Sequence, residues 1–110
     1  MSDVPSDSVN PHFNEVTLTA RITERKALRY TPAGLPALDL GLHHESSLVE
    51  AGQPRKVVCD LRAVAMGPMA ERLNRTDIGA ELLFKGFLGM SRNGRGILLH
   101  IIELNSTPTD

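Results

Sequence analysis

The chain has 110 residues, 41% of them hydrophobic and 23% charged, with a net charge of −1 at neutral pH. That length suits one domain, because half of it could not bury a stable core without disulfides or a metal. No apolar run approaches the roughly 20 residues that a membrane-spanning helix needs. The single cysteine, Cys59, excludes an internal disulfide and a zinc site built on cysteine pairs.

The opening MSDVPSDSVNPHF has neither the positive start nor the apolar centre of a secretory signal, which points to the cytoplasm. Residues 1–13 and 105–110 read as tails around one folded unit, residues 14–104. The tails carry Asp3, Asp7 and Asp110 and no Lys or Arg. The folded part therefore holds twelve basic against ten acidic groups, a balance of +2. So weak an excess matters for a phosphate-bearing partner only if the cations cluster on one face.

From Asn14, NEVTLTARI alternates Val16, Leu18, Ala20 and Ile22 with polar residues, the period of a half-buried strand. A turn at TPAG follows, with Pro32 suited to its second position and Gly34 to its fourth. PALDLGLHH then alternates through Leu38, Leu40 and Leu42 and pairs back on the first strand. ESSLVEAGQP has the composition of a connection, and RKVVCDLRAVAM supplies a third strand. On that strand Val57, Cys59, Leu61 and Ala63 share one face and Val58, Asp60, Arg62 and Val64 the other. Cys59 is expected to be a small core residue.

GPMAERLNRTDIG predicts one short helix, with Pro68 at its first position and Gly79 as a stop. AELLFKGFLGMS and GILLHIIEL complete the set as two strands joined by a basic loop, Arg92 to Gly96. Phe84 falls on the core parity of Leu82 and Leu88. The fold class is thus all-β: a five-stranded OB-fold barrel with one short helix between strands 3 and 4. Gly41, Gly86 and Gly89 fit strands that must bend. A two-layer α+β sheet is the alternative.

No enzyme chemistry is marked. GRG lies between two strands and lacks the lysine and hydroxyl of a phosphate-binding loop, no serine stands in a nucleophile-elbow context, and no pair of acids is singled out. His43, His44 and Glu45 form the only cluster that suggests a metal. Adjacent strand residues point to opposite sides, however, so both imidazoles cannot reach one ion. Neither a metal nor a cofactor is expected. His100, between Leu98 and Ile102, reads as a packed or hydrogen-bonded histidine.

What the sequence does supply is cations and flat side chains at loops and outward positions. Arg25, Lys26, Arg29 and Tyr30 flank the first connection, Arg55 and Lys56 begin the third strand, Lys85 and Phe87 share a face of the fourth, and Arg92 and Arg95 form the last loop. In an OB-fold the ligand surface is the face of the second and third strands, bordered by the first and last of these loops. Arg29, Tyr30, Arg55, Lys56, Lys85, Phe87, Arg92 and Arg95 are therefore the candidate DNA-binding residues. Cations would track phosphates and rings would stack on unpaired bases. With no Trp and one Tyr, the electrostatic part should dominate.

RYTPAG is similar to the first-loop signature of the single-stranded DNA-binding proteins. ALRYTPAGLPALDLGLHHES, EAGQPRKV, FKGFL and LLHIIEL together resemble the primosomal replication protein N family, PriB, a branch of that superfamily. The resemblance covers residues 14–104. It implies an OB-fold homodimer, without catalytic residues, that binds single-stranded DNA and joins a primosomal helicase and other primosome proteins to restart replication at stalled forks. The unpaired edge of the first strand is the expected dimer surface. Two positions depart from the pattern: Val58 stands where some relatives present an aromatic residue for stacking, and Glu45 where a positive group would serve better. A protein-binding OB-fold adaptor, with DNA incidental, is the alternative function.

Overall fold

The computed structural model describes residues 12–107. Most of the expected N-terminal tail and the last three residues lie outside them. Six strands and one helix follow in order: β1 (Val16–Arg25), β2 (Arg29–Tyr30), β3 (Pro36–Glu50), β4 (Gln53–Met66), α1 (Pro68–Asn74), β5 (Glu81–Met90) and β6 (Ile97–Ser106). The sheet order is β1-β5-β6-β4-β3-β2, and β1 also pairs with β3. That last pairing closes β1, β3, β4, β6 and β5 into a five-stranded barrel, consistent with an OB-fold. The helix follows the fourth strand, not the third, because Arg29 and Tyr30 form a strand of their own against Ala37 and Pro36.

Closure depends on β1 changing partners halfway. Val16 to Arg21 pair with β5, and Arg21 to Arg25 with β3. The remaining seam is parallel, with Ala63, Val64 and Ala65 of β4 against Leu99, His100 and Ile101 of β6. Inside lie Ile22, Leu38, Leu42, Phe84, Leu99 and, from the helix, Ala70 and Leu73. Along β1 and β3 the core residues Ala20, Ile22, Leu38, Leu40 and Leu42 recur at every second position, the pattern that identified those strands. The β5–β6 register shifts between Lys85 and Gly86, and a Cβ at Gly86 would stand 1.8 Å from the His100 carbonyl oxygen, so no other residue fits that approach.

The segment ESSLVEAGQP is not a connection. β3 and β4 run on as one long hairpin, paired from Ala37↔Met66 to Glu50↔Gln53, with only Ala51 and Gly52 between them. Both have positive φ, 54° and 76°, as a two-residue hairpin turn of the mirror-image type demands. The outer half of this hairpin projects past the barrel, so its faces have no opposing layer. Hence Cys59, expected in the core, is exposed. Leu48, Val49 and Val58 are exposed with it. β6 also continues past residue 104, with Asn105 and Ser106 paired to Leu83 and Leu82.

Candidate nucleic-acid interface

On the outer face of the barrel, residues of four adjacent strands stand in register, with Val64 buried beneath its neighbours. Asp39 of β3 is opposite Val64 of β4, Val64 opposite His100 of β6, and His100 opposite Phe87 of β5. At a strand spacing of about 4.8 Å, this rank runs about 14 Å across the barrel. Cations gather at its Asp39 end. Arg29 donates from Nε and Nη2 to the two Asp39 carboxylate oxygens at 2.7 and 3.2 Å. Arg62 and Arg92 line the same hollow, with Ser91 and Asn93 of the last loop.

The Asp39 carboxyl is held below the usual carboxylate range, chiefly by the hydrogen bonds from Arg29. Burial opposes the shift, and the charges of Arg29, Arg92 and Lys26 add to it. Arg29 is correspondingly held more firmly protonated. Asp39 therefore sits amid Arg29, Arg62, Arg92 and Lys26, and the last of these is also paired with Glu24 at 3.9 Å. Among the described residues, Arg62 and Arg92 have no carboxylate within ion-pair distance.

The loops that frame this groove are locally determined. Gly34 N–H donates to the Thr31 carbonyl at 2.8 Å and closes the TPAG turn beside Tyr30. Gly94 N–H donates to the Ser91 carbonyl at 2.9 Å, and Arg95 N–H reaches the Ser91 hydroxyl and Asn93 Oδ1 at 3.0 and 2.9 Å. Arg92 stands inside that turn.

Of the residues singled out from sequence, Arg29 and Arg92 come together in the groove. Tyr30, 65% exposed, follows Arg29. Phe87 lies at the far end of the rank, stacked on His100 with ring centroids 4.8 Å apart and planes 7° from parallel. The others are elsewhere. Arg55 pairs with Glu50 at 2.6 Å near the hairpin tip, Lys56 lies across from Ser47, and Lys85 is 3.9 Å from Glu103. Arg95 shares the last loop but does not line the hollow. Arg25 is spent on the Thr76 carbonyl.

Sequence reasoning missed Arg62, Asp39 and His100 as groove residues. For Arg62 a signal existed, since it shares the outward parity of Val64. Nothing in the chain marks Asp39 as the partner of Arg29.

The two adjacent histidines do point to opposite sides. His43 lies between two carboxylates, Nδ1 2.8 Å from Asp60 and Nε2 2.8 Å from Glu45. Asp60 and then Glu45 raise its pKa, against a small opposing effect of burial, so it carries more charge near neutrality than a free imidazole. His44 donates from Nδ1 to the Thr19 carbonyl of β1 at 2.6 Å and meets Ser46 Oγ with Nε2 at 2.8 Å. No group of three or more His, Cys, Asp or Glu arranged to hold a metal occurs among the described residues. Nor is any described helix long and apolar enough to cross a membrane.

Residues 14–103 match the family described as "Another single-strand binding protein family", so the barrel is of the single-strand-binding class. Within that class, the chain is 51% identical over 80 residues to replication restart protein PriB of Bordetella pertussis, covering 73% of this chain and 75% of that one. The solved PriB of Ralstonia solanacearum superposes with a TM-score of 0.80 at 34% identity, over 86% of this chain and 98% of that one. The single-stranded DNA-binding protein of Thermus aquaticus gives 0.68 at 27% identity, over 87% of this chain and 50% of that one. The chain belongs to the PriB family, in the single-stranded DNA-binding superfamily.

Proposed function

We propose that this protein binds single-stranded DNA along the groove of Arg29, Arg62 and Arg92 and serves in replication restart, without catalytic activity, by delivering the strand to a primosomal helicase. The observation that carries the reading is the clustering of Arg29, Arg62 and Arg92 around Asp39 in one hollow on the outer face of the barrel, with the Lys26–Glu24 pair beside it. A polyanion is the ligand such a surface attracts, and release of its counterions makes the affinity fall with salt. The family relatives, replication restart proteins by name, support the cellular role. A homodimer is part of the proposal. Beyond Arg21 toward Val16, the side of β1 away from β5 has no strand partner among the described residues, and such an edge invites its copy.

One observation favours the adaptor reading. Asp39 occupies both oxygens with Arg29, and Glu45 and Asp60 add negative charge along the outward hairpin face, where Val49 and Val58 expose apolar surface. Anisotropy of a labelled oligothymidine separates the two. Binding at low salt with a slope that becomes shallower in Arg62→Ala/Arg92→Ala supports the DNA groove. Absence of binding at low salt overturns it in favour of the adaptor. Sedimentation at micromolar concentration tests the dimer, and a monomer there refutes it.

A further inference from the structure

The rank of outward residues continues past the cations into a second hollow, of about 460 Å³, between α1 and strands β4, β5 and β6. We propose that this hollow receives one base of the strand whose phosphates lie on Arg29, Arg62 and Arg92; the inference rests on the single-stranded DNA reading above. Three observations carry it.

The first is continuity. Val64, Met66 and His100 wall both hollows, so a chain lying on the cations reaches the second without leaving the surface. The second is chemistry. Pro68, Met69, Phe87, Ile101 and Ile102 complete the walls, and no Lys, Arg, Asp or Glu lines them. A phosphate gains nothing there, whereas a base gains apolar burial and a ring to stack on. Met66, Phe87 and Ile102 are 41%, 39% and 63% exposed, so their surface is available to a ligand. The third is preorganisation. Phe87 and His100 are directly opposite across β5 and β6, and each holds the other's ring face parallel. Gly89 makes room for the imidazole, since a Cβ there would come within 2.9 Å of His100 Nε2.

Two methionines in the wall give an adaptable surface that accepts any base. The slot therefore adds affinity without sequence preference. It also adds a stacking site to a chain with one tyrosine and no tryptophan.

The test titrates wild-type protein and Phe87→Ala with oligothymidine and with an abasic strand of equal length and equal phosphate charge. Phe87→Ala is expected to bind oligothymidine about 5- to 150-fold more weakly, the range of a single base stack. Its salt slope should stay unchanged, and on the abasic strand it should match wild type within about twofold. Gly89→Ala, which displaces the imidazole and keeps the phenyl ring, should lower affinity for oligothymidine alone. A Phe87→Ala protein that binds both strands like wild type, or loses the same factor on both, overturns the slot. If wild type fails to bind oligothymidine at low salt, the strand-binding reading itself has failed. Normal wild-type binding with an indifferent Phe87 removes the slot only and leaves the hollow to an apolar side chain of a protein partner.

Discussion

Replacing Asp39 with Asn tests whether that acid restrains the groove. The substitution keeps shape and one acceptor for Arg29 but removes the negative charge around which Arg29, Arg62, Arg92 and Lys26 are gathered. Counted with Glu24, the partner of Lys26, these six groups sum to +2 with Asp39 present and to +3 with Asn. The guanidinium now held by two bonds becomes free for a phosphate. One further phosphate contact steepens the dependence of log K on log salt by about 0.7 for a single strand. A fourfold drop in salt should therefore raise the variant's affinity about 2.5-fold more than it raises that of wild type.

The cost to the fold is about 1 kcal/mol, because both side chains are partly exposed, at 27% and 23%, and solvent already screens the pair. Anisotropy titrations at several salt concentrations, with a thermal melt of the same preparation, read both quantities. A variant that binds more weakly with an unchanged slope would refute the reasoning. Asp39 would then be aiming Arg29 at the strand instead of withholding it.

Ala51 holds φ 54° in the hairpin turn, a conformation that Asn adopts with less strain, so Ala51→Asn should raise stability by about 0.5–1 kcal/mol; a lower denaturant midpoint would contradict this. Gly86→Ala would drive a methyl into the His100 carbonyl and should abolish folding, checked by the loss of a cooperative melt. The raised pKa of His43 means that its contribution to stability is fully present below the ordinary value near 6.5 and is lost as pH rises through the folded value. His43→Gln should accordingly flatten the pH dependence of stability in that window, and an unaltered profile would remove His43 from it. Asp39 acts in the opposite direction. Its lowered pKa contributes stability above about pH 4 that fades as pH falls through the folded value, so Asp39→Asn should be less sensitive to acid than wild type.

The barrel was legible because parts of its wall are covered chiefly on one side, so apolar residues recur at every second position along Val16 to Ile22 and Leu38 to Leu42. The same logic explains the failure at ESSLVEAGQP. Where β3 and β4 leave the barrel, neither face is covered, alternation has no cause, and a paired hairpin reads as a loop. Cys59 and Val57 kept core parity there but have no core to enter. The groove was half legible. Its bordering loops announce themselves by Gly, Pro and Arg, which brought Arg29 and Arg92 forward. Arg62 was marked by its parity with Val64 alone, and His100 becomes a groove residue only through its pairing across strands with Phe87. Lys85 has the right parity and yet sits beside Glu103, a neighbour that no spacing within β5 could disclose.

The division of β1 between two partners bears on how the chain is made. Thr17 must find Lys85, so the first strand leaves the ribosome long before the segment that will flank it exists. Until β5 emerges, Leu18, Ala20 and Ile22 line an open ribbon, exposed to nascent copies of the same polypeptide. Circular permutation that starts the chain at the β3–β4 tip and joins the old ends would bring β5 out before β1 and so shorten that interval.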